Sequence, residues 1–138
     1  MRKRQMRLLT TTISFLLLLT SCSETTTDDP IDSYKYWAGA EPTDDVKVLN
    51  GQYWQSGHWT REYILYLQIN PTDQWWQEFV KQNQLEIVNE DWITKSDSPD
   101  WFQLTDNIEI YKHAGDFNDS RYFRDKVAGE CYIYEIQL

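Results

Sequence analysis

Residues 58–69 read HWTREYILYLQI, and this stretch indicates the fold class most clearly. From Tyr63 onwards the side chains alternate between two faces of an extended chain. One face is wholly apolar and the other is mixed, with Tyr63, Leu65, Leu67 and Ile69 on the first and Ile64, Tyr66 and Gln68 on the second. A period of two predicts a β-strand, and one clean apolar face predicts a sheet that is covered on one side.

The segment before this strand predicts a β-hairpin. Residues 46–49 form a short β-like run, Asn50-Gly51 follows it, and residues 52–55 read as the returning strand. Asn-Gly is the strongest two-residue hairpin signal, because both residues tolerate the positive φ angles of the turn. Ser56-Gly57 then predicts a second turn, which leads into the strand at 58–69.

The segment after this strand predicts a helix over residues 73–83 (DQWWQEFVKQN). Asn70-Pro71 ends the strand, and Thr72 or Asp73 offers a side-chain oxygen that caps the first free N–H groups of a helix. The apolar side chains then recur on one helical stripe, which consists of Trp75, Trp76, Phe79 and Val80.

The rest of the chain is mainly extended. Residues 85–88 fit a strand or a helix exit equally well, whereas strands are expected at 101–104, 108–111 and 131–138. A run of strands with one helix predicts an α+β fold. We therefore expect a small antiparallel β-sheet packed against one main helix at about 73–83.

The N-terminus has the pattern of an export signal. Four basic residues, Arg2, Lys3, Arg4 and Arg7, precede an apolar run from Ile13 to Leu19 that is too short to span a bilayer. Leu19-Thr20-Ser21-Cys22 follows, which is an apolar residue, two small residues and a thiol. This order resembles the signal peptide and lipobox of bacterial lipoproteins, and the resemblance covers about 22 of the 138 residues.

The resemblance implies a lipid anchor on Cys22. In that family the thiol receives diacylglycerol, the chain is cleaved just before the cysteine, and the new amine is usually acylated. Two or three acyl chains hold a protein stably on a bilayer, whereas one chain is marginal. Lipoproteins of that family that stay in the inner membrane often carry Asp after the cysteine, so the resemblance together with Ser23 favours the outer membrane. Either the periplasmic or the surface face fits.

The sequence divides into three parts. Residues 1–21 form the predicted signal peptide, 22–33 (CSETTTDDPIDS) a flexible acidic Thr/Ser tether, and 34–138 a single α+β domain. The boundary is placed at Tyr34 because aromatic residues begin abruptly there. The domain itself resembles no family that we recognise.

The charge of the chain excludes nucleic acid as an expected partner. Lys and Arg number 13 and Asp and Glu 22, and removal of the four basic signal residues leaves 9 − 22 = −13 for the mature chain. Phosphate contacts need Lys and Arg, so this balance is unfavourable for nucleic-acid binding. A strongly acidic domain is instead steered towards a basic partner.

No enzyme motif, metal motif or cofactor motif is visible, so we expect no enzyme and no cofactor. The sequence lacks GxSxG, P-loop and GxGxxG patterns, and His58 and His113 are 55 residues apart without zinc-ligand spacing. The segment Asp116-Phe117-Asn118-Asp119-Ser120 begins like a calcium loop. The pattern then fails, because Arg121 replaces the required glycine and Val127 the required acid.

Cys131 is the second of two cysteines in the chain. We expect it to be a small buried residue of the last strand. The alternative is a nucleophile that uses His58 or His113 as its base.

Aromatic residues are abundant, with 7 Trp, 9 Tyr and 5 Phe. Most of them are expected to fill the core, since each buries a large area. The candidate contacts for a ligand or partner are Trp54, Trp59, Trp75 and Trp76. Trp54 and Trp59 flank the Ser56-Gly57 turn, and adjacent residues such as Trp75 and Trp76 point about 100° apart on a helix.

These features lead to three functional hypotheses. The first is a membrane-anchored envelope lipoprotein that acts as a non-enzymatic protein-binding module, for example as an immunity-type inhibitor of a basic toxin. The second is a carbohydrate-binding surface lipoprotein that uses Trp54, Trp59 or Trp75. The third is a small hydrolase that uses His58 or His113 with acidic residues.

Overall fold

The computed structural model describes residues 23–115 and 118–138. The predicted signal peptide and Cys22 lie outside the described residues. The elements follow in the order β1 (Thr25–Thr27), α1 (Pro30–Ala38), β2 (Val46–Gln55), β3 (Tyr63–Pro71), α2 (Asp73–Gln82), β4 (Leu85–Val88), β5 (Ile108–His113), β6 (Arg121–Asp125) and β7 (Cys131–Gln137). In this described part, no helix is both long and apolar enough to cross a membrane.

The strands form one seven-stranded sheet in the order β1-β2-β3-β7-β6-β5-β4. Every neighbouring pair is antiparallel. The α+β class with an antiparallel sheet is therefore correct. The expected small sheet against one main helix is too simple, because the sheet has seven strands and a second helix packs on it.

Both helices cover the same face of the sheet. The predicted apolar face of β3 lies under them, and its residues share one cluster with Tyr34 of α1 and Trp76 of α2. The rings of Trp37 and Phe79 join the two helices, with their centroids 5.7 Å apart. The helix predicted at 73–83 is confirmed, and the Thr72 hydroxyl caps it by accepting a 3.2 Å hydrogen bond from the Trp75 N–H.

The second face of the sheet is covered as well, which the alternation in 58–69 did not predict. The cover is the segment 89–107, which contains no helix or strand. Its Phe102 ring meets the Tyr66 ring edge to face, with centroids 5.0 Å apart, and Tyr66 is only 1% exposed. Instead of the strand expected at 101–104, the chain turns there, because the Phe102 N–H donates to the Pro99 carbonyl at 2.9 Å.

The hairpin expected at Asn50-Gly51 is not formed. β2 continues through these residues as one strand of ten residues, with an irregular register between Val48 and Asn50. Gly51 lies under α1, where an added Cβ atom would be 2.6 Å from the Cβ atom of Ser33. Glycine is therefore required at this position because the helix packs closely on the strand, and not because the chain turns there.

The tether expected over 22–33 is also wrong for most of that segment. Thr25 to Thr27 pair with Gln55 to Tyr53 as the first strand of the sheet. The Asp29 carboxylate then caps α1 by accepting from the Asp32 N–H at 2.9 Å, and Pro30 begins the helix. Acidic and small residues here serve as a strand and a helix cap, so the folded domain begins earlier than Tyr34.

Candidate functional site

A groove with an aromatic floor lies on the face of the sheet opposite the helices. Its volume is about 310 Å³, and it is lined by Thr26, Gln52, Tyr53, Trp54, Ile64, Tyr66 and Asp97. We call it the Trp54 groove. Strands β1, β2 and β3 form its floor, and Asp97 belongs to the irregular segment that covers the neighbouring part of the sheet.

The strand register brings the floor residues together. Thr26 pairs with Trp54, Trp54 pairs with Ile64, and Gln52 pairs with Tyr66. Residues that are directly opposite in an antiparallel pair point to the same face. Trp54 and Ile64 are half-buried, so each presents part of its apolar surface to the groove.

Two carboxylates accept hydrogen bonds from side chains of the groove. The Tyr66 hydroxyl donates to Asp97 at 2.9 Å, and the Gln52 amide donates to Asp28 at 3.3 Å. Both acids are exposed. Burial raises the pKa of Tyr66, and the bond to Asp97 acts in the same direction. The phenol therefore stays protonated at neutral pH and remains a donor.

The groove thus combines an apolar floor with negative charge beside it. A lysine or arginine side chain fits this arrangement, because its stem packs on apolar surface while its head meets a carboxylate. An aromatic ring such as that of Trp54 also attracts a cation over its face.

The four candidate tryptophans do not form one site. Trp76 is 2% exposed and meets Tyr111 edge to face, with ring centroids 5.4 Å apart. Trp75 is half-buried and stacks on Phe79 at 5.1 Å. Trp76 is therefore a core residue, and Trp75 packs against the same core. Of the four, Trp54 lines the groove, and Trp59 lies on a separate loop.

Trp59 is 95% exposed at the tip of the loop between β2 and β3. The loop is closed by hydrogen bonds from the Ser56 N–H to the Glu62 carbonyl at 2.8 Å and from the Arg61 N–H to the His58 carbonyl at 3.1 Å. Glu24, Gly57, His58 and Trp59 line one shallow depression there.

The structure does not bring Cys131 together with either histidine. Cys131 is fully buried, as expected, and burial raises its pKa to about 12. It pairs with Ile69, which is six residues from the start of β3 and thus about 20 Å from the loop that holds His58. On the other side, Cys131 pairs with Arg124, and Arg124 pairs with Glu109 of β5. His113 lies four residues further along β5 than Glu109, which places it about 13 Å along the strand from the level of Cys131.

The residues that the structure describes contain no group of three His, Cys, Asp or Glu side chains able to hold a metal ion. Asp116 and Phe117 of the segment that begins like a calcium loop lie outside them. Of the other residues in that segment, Asn118 accepts from the Ser120 N–H at 2.9 Å, and Asp119 pairs with Lys95 at 3.3 Å.

Sequence reasoning found Trp54 but missed the rest of the groove. Asp97 and Tyr66 are 31 residues apart, and nothing in the turn-rich sequence around Asp97 indicates that its carboxylate contacts Tyr66. The comparisons with protein-family models, curated proteins and solved structures found no match.

Proposed function

We propose that the mature chain is a lipoprotein of the bacterial cell envelope, anchored in the outer membrane through acylated Cys22, whose domain binds a basic protein partner without enzyme chemistry. The lipobox at 19–22 supports the anchor. The Trp54 groove is the observation that supports the binding function, because its apolar floor lies beside the carboxylates of Asp28 and Asp97.

The net charge of the mature chain favours the same kind of partner. The mature chain carries a formal charge of 9 − 22 = −13, so its field attracts a basic surface before contact is made. A lysine or arginine that enters the groove exchanges water for the carboxylate of Asp97 and the ring of Trp54. Long-range attraction thus speeds the encounter, and the groove selects the side chain.

The test is affinity capture from envelope extracts with the acylated protein at low and high salt. We expect a basic protein that is captured at low salt and released at high salt, because screening weakens attraction between exposed charges. Asp97→Asn should reduce capture, since the amide still accepts from Tyr66 but carries no charge. Asp100→Asn is the matched control, because it removes the same charge from an exposed site outside the groove.

Capture that is equal for wild type, Asp97→Asn and Asp100→Asn would contradict a role of the groove. Capture that does not respond to salt would contradict electrostatic steering. If the captured protein is a toxin, the immunity-type hypothesis further predicts that wild type protects a susceptible cell and that Asp97→Asn protects it less.

Carbohydrate is the second candidate ligand. The half-buried ring of Trp54 beside Gln52 and Asp97 offers a stacking surface with hydrogen-bonding groups at its edge. A titration of the protein with envelope polysaccharides, followed by tryptophan fluorescence, tests this candidate. Sugar binding predicts a change that is lost in Trp54→Ala and is insensitive to salt, whereas an unchanged spectrum over the whole panel would exclude the polysaccharides used.

A further inference from the structure

The loop of residues 56–62 holds a large apolar side chain out into solvent. Trp59 follows His58 in a turn that is closed by the hydrogen bond from the Arg61 N–H to the His58 carbonyl. The base of the loop is closed by the bond between Ser56 and Glu62. Because two backbone hydrogen bonds hold the loop in one conformation, Trp59 is exposed by a structured loop.

This loop lies at the end of the sheet where the chain enters from Cys22. Thr25, the first residue of β1, pairs with Gln55, the last residue of β2 and the residue just before the loop. Three residue steps separate Cys22 from Thr25, which is at most about 10–11 Å of extended chain. Glu24 lines the same depression as Trp59, so the entering chain and the loop are neighbours.

We propose that the 56–62 loop rests on the bilayer that holds Cys22, with the Trp59 indole in the interfacial layer of that bilayer. This inference rests on the proposed lipid anchor. With β1 beginning at Thr25, an anchor on Cys22 leaves a connection too short to lift this end of the domain far from the lipid surface. The Trp59 loop is then the part of the domain nearest to the membrane.

The chemistry of the loop suits this position. Tryptophan concentrates at membrane interfaces, where its ring reaches apolar chains and its N–H meets polar headgroups. Arg61 in the same turn is exposed and offers a cation to lipid phosphates. At the same end of the sheet, Gln137 pairs with Tyr63, and the following Leu138 is 80% exposed, which adds apolar surface beside the loop.

This contact would fix the orientation of the domain. The strands of the sheet would run away from the membrane, with the turn between β6 and β7 at the far end. The Trp54 groove would lie close to the lipid surface, because Trp54 pairs with Thr26 only one residue along from the Thr25–Gln55 pair.

The test uses the acylated full chain in vesicles of phosphatidylethanolamine and phosphatidylglycerol that contain a phospholipid brominated high in its acyl chains. Bromine quenches only tryptophans that reach the interface. We expect part of the tryptophan emission to be quenched, and this quenched part to be lost in Trp59→Phe. Trp101→Phe is the matched control, because it removes a half-buried indole of the segment 89–107, away from the 56–62 loop, and should leave the quenched part unchanged.

Two results would overturn the inference, and they differ in what else they overturn. If mass spectrometry shows the lipid on Cys22 but the quenching is absent, or is the same in Trp59→Phe, the anchor stands and the membrane contact of Trp59 is wrong. If Cys22 carries no lipid and alkaline washing releases the protein from membranes, the proposed anchor fails and this inference fails with it.

Discussion

At the scale of single residues, Cys131 shows how burial controls chemistry. Its thiol is fully buried and its pKa is raised to about 12, mainly by burial, so almost no thiolate exists at neutral pH. We predict that a thiol reagent at pH 8 leaves Cys131 unmodified in the folded protein and reacts with it once denaturant is added. The Cys22→Ala variant, in which Cys131 is the remaining cysteine, allows a clean measurement. Rapid labelling of the folded protein would contradict the buried position.

Asp125 gives a prediction about acid stability. Its carboxylate accepts from the Thr105 hydroxyl at 2.6 Å and from the Val127 and Ala128 N–H groups at 2.8 Å each. These hydrogen bonds lower the pKa of Asp125 in the folded state. The stabilisation is therefore present above the unfolded pKa of about 3.9 and is lost as the pH falls through the lower folded value.

We accordingly expect Asp125→Asn to lower the melting temperature at pH 7. Below about pH 4 the melting temperature of this variant should fall less steeply than that of wild type, because it has no carboxylate at this position to take up a proton. Thermal unfolding between pH 2 and pH 7 measures both effects. Asp106→Asn, an exposed change in a nearby turn, is the control and should resemble wild type. A variant with the acid response of wild type would show that these hydrogen bonds add no stability.

Cys131 and Asp97 differ in how well the sequence predicts their surroundings. The burial of Cys131 was predicted correctly, because an unpaired cysteine in a strand behaves as a small apolar residue. The role of Asp97 was not predicted, because its partner Tyr66 is 31 residues away. Local pattern indicates which side chains share a face, but a contact across the fold depends on how the intervening chain returns.

At the scale of elements, the contact between α1 and β2 is the most sensitive to a small change. A Cβ atom on Gly51 would lie 2.6 Å from the Ser33 Cβ atom and 3.1 Å from the Pro30 Cα atom. We predict that Gly51→Ala lowers the free energy of unfolding by about 1–3 kcal/mol, the usual cost of overpacking a tight contact.

Ser33→Gly in the Gly51→Ala background is the companion variant, because it removes the atoms that the new methyl group meets first. A double-mutant cycle by urea unfolding should show a favourable coupling between the two changes. Additive effects of the two changes would mean that the helix moves freely away from β2, and that close packing is not what requires glycine here.

Elements with a strong local pattern were predicted well, and those set by tertiary contacts were not. The capped amphipathic helix at 73–83 and the alternating strands at 108–111 and 131–138 were confirmed. The Asn50-Gly51 turn signal was overridden, because both neighbours of this segment, α1 and β3, hold it as a strand. Helix α1 was missed although Asp29, Pro30 and Gly39 are standard signals for the ends of a helix.

At the scale of the whole molecule, the two-sided core could not be predicted from the periodicity of one strand. Ile64 and Tyr66 were placed on a mixed face, which is typical of a solvated surface. The chain instead covers that face with residues 89–107, whose Trp92 and Phe102 pack on Phe123. Irregular segments have no period, so their packing is visible only once the sheet order is known.

The net charge makes one prediction for the molecule as a whole. The part of the chain from residue 22 onwards carries a formal charge of 9 − 22 = −13, which brings like charges close together on folding, and this repulsion opposes the compact state. Added salt screens it, since the Debye length is about 30 Å at 0.01 M and about 10 Å at 0.1 M. We therefore expect the melting temperature to rise as sodium chloride increases over this range.

The same salt should weaken capture of the proposed basic partner, so folding and binding are expected to respond in opposite directions. This opposition separates screening from a general effect of salt on the protein, which would change the melting temperature and the capture in the same direction.

Replacing the exposed Asp44, Asp100 and Asp106 by Asn should reduce the salt response of the melting temperature, because fewer like charges remain. A melting temperature that falls with salt in wild type would instead mean that attractive ion pairs, such as Lys35 with Glu41, outweigh the repulsion.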